Sequence, residues 1–122
     1  MQEYTTALLQ IVSTNISAEN IEKELGLVNA ARQQPPAPHA YFGFETKEIC
    51  SSSDINAHID VLLSRLAIKK GFLSSRQQAG DEIAVLWFAD AKQAPFSVLS
   101  VNSMKALSEY KLPLLIQNSA PS

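Results

Sequence analysis

The stretch Ser53 to Lys70, SDINAHIDVLLSRLAIKK, most constrains the fold. Ile55, Ile59, Leu62, Leu63 and Leu66 recur at steps of four, three, one and three, which sets them on one stripe of an α-helix. Asp54, Asn56, Asp60, Ser64 and Arg65 fall mostly off that stripe. Ser52 or Ser53 is the expected N-cap, and Asp54 suits the positive end of the helix dipole. Lys69 and Lys70 suit the other end, and Gly71 is the expected stop. No other segment carries so long a helical period, so the strands around it are expected to pack on its apolar stripe.

A chain of 122 residues has room for one domain with one core. Its apolar content of 46% against 18% charged residues is ordinary globular usage and excludes a disordered chain. The longest apolar runs, IAVLWFA and LPLLI, fall far short of the roughly 20 residues that span a bilayer. The first residues carry Glu3 and no basic cluster, unlike a secretory signal. With a single cysteine, Cys50, no internal disulfide can form, which fits a reducing cytoplasm.

The net charge of −2 conceals an asymmetry. Residues 1–60 hold three basic and eight acidic side chains, a net of −5, and the remainder carries +3. The basic residues are scattered apart from Lys69 and Lys70, which argues against a nucleic-acid footprint. An acidic first half suits a basic protein partner better.

Thr5 to Ser13 alternates as a strand, with Ala7, Leu9 and Ile11 on one face and Leu8, Gln10 and Val12 on the other. Ser17 caps a short helix whose inner edge is Ile21 and Leu25. Gly26 is its expected C′ residue, and Leu27 is placed for a Schellman ending. Residues 28–40 include three prolines in four positions and form an extended loop, read first as a spacer between elements and second as a binding loop. Tyr41 to Thr46 is a second strand. Gly71 to Ala79 forms a short helix or bent continuation ended by Gly80. Glu82 to Ala89, apolar on both faces, reads as a central strand in which Trp87 belongs to the core.

Asp90 to Pro95 reads as a turn, and Phe96 to Leu99 as a strand or the approach to a helix. Ser100 or Asn102 caps that helix, which runs to about Tyr110 with Met104 and Leu107 inward. Lys111 to Gln117 closes the fold as a strand whose Pro113 favours an edge or an end. Residues 118–122 read as a loose tail. The order predicts a single α+β domain over residues 1–122. It is a two-layer sandwich with a mostly antiparallel sheet, helices on one face, and a weak echo between the two ends of the chain.

The run SAENIEKELG, the aromatic strand YFGFET, the helix DINAHIDVLLSRL and the ending LSVNSMKALSEYKLPLLIQ together resemble a bacterial family, domain of unknown function four-two-seven-nine, over nearly the whole chain. Glu24-Leu25-Gly26-Leu27 and Leu107 to Leu112 carry the likeness. Tyr41 stands where many members have tryptophan, and Ala31-Arg32 where a proline is common. The resemblance implies a small cytoplasmic bacterial domain with no activity to carry over. Service as a toxin-immunity partner is an association with such domains.

Chemical motifs are sparse. His39, His58 and Cys50 show no metal-ligand spacing, and no phosphate-binding glycine loop or nucleophile elbow occurs, so neither metal nor cofactor is expected. Asp54 lies four residues before His58, an arrangement for an oriented base, but more simply a helix-surface contact. Cys50 and the Ser51-Ser52-Ser53 run lack an oriented base. Enzyme chemistry is therefore not expected. The leading reading is an interaction protein that occludes a toxin domain through an acidic surface of Glu19, Glu22, Glu45 and Glu48, with Tyr41 or the proline loop as anchor. The alternative is a ligand-binding module with a pocket between sheet and long helix near His58 and Trp87. Neither a nucleic-acid nor a membrane partner is expected, and the oligomeric state is left open.

Overall fold

The computed structural model describes residues 5–31, 33–90 and 98–119. Four strands, β1 (Thr5–Ser13), β2 (Ala40–Glu45), β3 (Glu82–Asp90) and β4 (Leu114–Ser119), form one sheet in the order β2-β1-β3-β4. β1 runs antiparallel to both neighbours, with Leu9 opposite Phe44 on one side and Val85 on the other. β4 runs parallel to β3, with Ile116 opposite Trp87. The fold is thus an α+β two-layer sandwich with a mixed sheet, antiparallel in two of its three pairings. The echo between the chain's ends extends to the element order. The pairing differs, because the first helix joins antiparallel neighbours and the last joins parallel ones.

Period-two alternation decides which face is covered. Ala7, Leu9 and Ile11 from β1, Phe42 and Phe44 from β2, and Ile83, Val85 and Trp87 from β3 are buried in one cluster with the helices. On the other face Leu8, Gln10, Val12, Tyr41, Ala84, Leu86 and Phe88 are half-buried. The helix α1 (Ala18–Leu25) contributes Ile21 and Leu25 to the core, and α2 (Ile55–Leu66) contributes the stripe read from sequence, all five residues of which are buried. Each such side chain withdrawn from water stabilises the fold by about 1.5–3 kcal/mol before entropy is counted.

The long helical stretch is not continuous. α2 ends at Leu66, a 3₁₀ turn spans Ala67–Lys69, and α3 (Lys70–Gln78) follows. The next inward step after Leu66 would bury Lys69 or Lys70, so nothing apolar rewards a straight helix there. The turn instead exposes Ile68 and sets Lys70 Nζ 4.9 Å from the centre of the Tyr110 ring. Gly71, expected as a stop, lies inside α3. Gly80 ends α3 at φ 98°, with its N–H bonded to the Gln77 carbonyl and that of Asp81 to Arg76, a Schellman ending.

Other caps sort by chemistry. Ser17 Oγ accepts from the Asn20 N–H as expected. Gly26, at φ 69°, closes α1 by one bond from its N–H to the Glu22 carbonyl, the simpler αL ending rather than the Schellman form, and Leu27 is buried in the core. The cap of α2 is Asp54, whose Oδ1 accepts from the Asn56 N–H; Ser52 Oγ instead bonds the Asp54 N–H one step earlier. A carboxylate is the stronger acceptor at a helix N-terminus. The helix α4 (Val101–Glu109) is capped by Ser100, and Leu107 points inward, but Met104 is 47% exposed. β4 runs to Ser119, so residues 118 and 119 belong to a strand rather than a tail. The turn and strand expected over residues 90–99 lie largely outside the described residues; β3 extends through Asp90, and Val98 and Leu99 lie outside any strand.

Among the described residues no helix is long and apolar enough to cross a membrane.

Candidate functional site

The proline-rich loop is fastened to the edge of β2. Its side chains replace a missing strand along the outer edge of β2. Gln34 donates through Nε2 to the Tyr41 carbonyl (2.9 Å) and accepts at Oε1 from the Tyr41 N–H (2.9 Å). Asn29 Oδ1 accepts from the Gly43 N–H (2.9 Å), and the Ala30 N–H reaches the Gly43 carbonyl (2.6 Å). Edge groups that would otherwise invite another chain are satisfied internally. Glu22 Oε2 accepts from the Asn29 N–H at 2.7 Å, clamping the loop to α1.

Between this loop and the start of α1 opens a groove of ≈ 680 Å³ lined by Glu19, Glu22, His39, Ile16, Pro35 and Pro38 among others. A second cleft of ≈ 620 Å³ lies between the chain after α1 and the end of β2, lined by Glu45, Glu48, Lys47 and Arg65. Asn29 lines both, so the two are neighbours along one surface. The four glutamates expected to form an acidic face therefore do line adjoining clefts. Their electrostatics differ. Glu45 pairs with Lys47 at 3.4 Å, and Lys47 with Arg65 offsets both acids of the second cleft. Among the described residues the net negative lining is that of the first groove, where Glu19 is exposed and Glu22 is half-buried.

Tyr41 lines neither cleft. Its ring lies on the helix-free face of the sheet, with Cε1 3.5 Å from where a Gly43 side chain would begin and Leu8 alongside. Burial pushes the Tyr41 phenol above its ordinary value of 10.0.

The clefts described do not include the pocket expected beside His58 and Trp87. Both residues lie in the packed core, at 0% and 6% exposure, and neither lines any of the clefts described. The His58 ring does not bond the Asp54 carboxylate either, because its two nitrogens reach Thr46 and Ser52 while Asp54 Oδ1 takes Asn56. His58 Nε2 stands 2.6 Å from the Ser52 carbonyl, which can only accept, so that nitrogen carries the proton. Nδ1 then accepts from Thr46 Oγ1 at 2.6 Å. Thr46 in turn accepts from the Ala7 N–H at 2.8 Å and lies 3.4 Å from the Thr6 hydroxyl, which accepts from the Lys47 N–H. Every member of this chain has a partner, and both imidazole nitrogens are spent. Cys50 is half-buried with its N–H bonded to the Thr46 carbonyl; the histidine is turned away to Thr46 and Ser52. Among the described residues no group of three or more His, Cys, Asp or Glu could hold a metal. Trp87 Nε1 is buried with no hydrogen-bond partner among the described residues.

Asn29, Gln34, Asn56 and Thr46 organise these sites, and none stood out in the sequence. Asn56 donates through Nδ2 to Asp54 Oδ1 and the Val98 carbonyl, and accepts at Oδ1 from the Ser100 N–H and the Ser103 hydroxyl. It fastens the start of α4 to the start of α2. Val98, Ser100 and Ser103 lie more than 40 residues away from it, beyond the reach of any local pattern.

No family model, no curated protein and no solved structure matches this chain, so its resemblance to domain of unknown function four-two-seven-nine rests on the residue patterns alone.

Proposed function

We propose that this chain is a non-enzymatic interaction domain, a cytoplasmic immunity protein that binds a basic bacterial toxin domain and covers the rim of its active site. The observation that carries this reading is the groove between α1 and the proline loop. There Glu19 and Glu22 stand beside the apolar flanks of Pro35, Pro38 and Ile16. An arginine or lysine from a partner would lay its aliphatic stem on the prolines and set its charge against the carboxylates. Glu22, Asn29 and Gln34 already hold the loop in place, so little ordering entropy is lost on docking. Inhibition is steric, and the acidic lining speeds encounter. The unpaired Cys50 accords with a reducing compartment.

Co-expression with the product of the neighbouring gene tests the reading. A stoichiometric complex that relieves growth inhibition supports it. In that complex Glu19→Lys should slow association several-fold at low ionic strength, with the difference shrinking as salt is added. An on-rate unchanged at low salt would exclude the groove. Glu22→Lys is a poor probe, because it also cuts the clamp to Asn29.

A further inference from the structure

The two edges of the sheet are treated differently. β2 is sealed by Asn29, Ala30 and Gln34, whereas β4 is the last strand on the other side and no described strand pairs with its outer edge. Leu114 to Ser119 contains no charge and no proline, so it lacks the usual guards against pairing. Its flanks are apolar: Ile116 is 66% exposed and Leu115 is 49% exposed. α4 presents apolar surface of its own. Ser103 and Tyr110 bind α2, and a turn of 100° per residue sets Met104 beyond buried Leu107, on the side of α4 away from α2. Val101, 73% exposed, continues that flank.

We infer that β4 pairs antiparallel with β4 of a second copy of this chain, joining the two sheets across a two-fold axis at Ile116. The register follows from the backbone. The Val85 N–H bonds the Pro113 carbonyl, so in the parallel ladder residues 113 and 115 face β3, and the N–H and C=O groups of Leu114, Ile116 and Asn118 turn outward. A two-fold axis normal to the sheet requires opposed residues to be an even number apart, because opposed side chains share a face. Centring on Ile116 satisfies both conditions and uses the full strand. Ile116 then faces its own copy as a hydrogen-bonded pair, and Leu114 faces Asn118 of the second copy. Self-pairing opposes Ile116 to itself and joins an uncharged strand to an uncharged strand, so no like charges meet, and the outward N–H and C=O groups of one copy match those of the other in the isologous way a two-fold axis requires. The occupant is a second copy for that reason. β2 lies at the opposite end of the sheet, so the dimer leaves both acidic grooves open at its two ends.

Sedimentation equilibrium on the isolated full chain is the test, with Cys50→Ser as background so that no adventitious disulfide contributes. The wild-type chain should sediment as a dimer at micromolar concentration. Ile116→Lys, which sets two ammonium groups face to face, should raise the dissociation constant at least tenfold, while Ile68→Lys at an equally exposed site on the 3₁₀ turn leaves it unchanged. Thermal melts confirm that each variant is folded. Ile116→Pro provides the second variant, since it removes an outward N–H that β3 does not use; it too should dissociate the dimer. A monomeric wild-type chain at 100 µM (about the highest working concentration) overturns the proposal. So does a dimer indifferent to both Ile116 variants. Neither result touches the acidic groove, whose own test requires a different protein.

Discussion

His58 Nδ1 stands 2.6 Å from Thr46 Oγ1, deep beneath the sheet and fully buried on both sides. Through this contact one hydroxyl serves β1, the turn after β2, and α2 together. Thr46→Val keeps the shape and removes the oxygen. The Ala7 N–H and His58 Nδ1 would lose their partners, and each orphaned buried group costs about 1–3 kcal/mol. Urea denaturation should show a loss of roughly 2–5 kcal/mol for Thr46→Val and much less for Thr46→Ser. Nitrogen-15 spectra of His58 should show the Nε2–H tautomer; the Nδ1–H form would contradict the assignment.

Asn56 uses all four of its side-chain hydrogen-bonding positions on the junction of α2 and α4. Asn56→Ala should cost about 2–4 kcal/mol and speed amide exchange at Ser103 before exchange elsewhere rises. Uniform acceleration across the sheet would show that the junction does not open locally.

The pair Arg76–Asp81 is nearly out of water, with side-chain exposures of 15% and 1%, and binds through two nitrogens at 2.6 and 3.2 Å. Arg76 also bonds Asn15, tying the end of α3 to the loop after β1. Removing one partner strands a buried charge, so Arg76→Met should destabilise by about 3–5 kcal/mol. The double change Arg76→Met with Asp81→Leu should recover a large part of that loss; additive losses in a double-mutant cycle would argue that the pair is not coupled.

Tyr41 supplies the pH-dependent prediction. Burial raises its pKa above 10.0, so the folded state holds the phenolic proton where the unfolded state has released it. This contribution is fully present below the unfolded value and is lost as pH rises through the folded one. The difference in ultraviolet titration between the wild type and Tyr41→Phe should therefore show a transition above pH 10, and the wild type should lose stability relative to the variant across that window. A difference transition at or below 10 would refute it.

Local chemistry wrote much of the fold into the chain. Thr5–Ser13 is a strand because its apolar residues alternate, and Ile55 to Leu66 is a helix because its apolar residues repeat at helical steps. The caps at Ser17 and Ser100 and the ends at Gly26 and Gly80 follow from side-chain or backbone properties within a few residues. Where reading failed, a nearby rival won. Asp54 displaced Ser52 and Ser53 as cap, and the lysines broke the long helix before the glycine did.

The sequence by itself determined which segments become strands and helices and which side of each is apolar, because those properties depend on residues within one or two turns. Only the tertiary structure decided that His58 is a core residue with both nitrogens spent, that Gln34 and Asn29 seal one sheet edge, and that Lys47 and Arg65 offset the acids of one cleft. Each of these depends on how a loop or turn carries the chain back on itself, and a hydrogen bond made across such a turn leaves no periodic trace in the residues that make it.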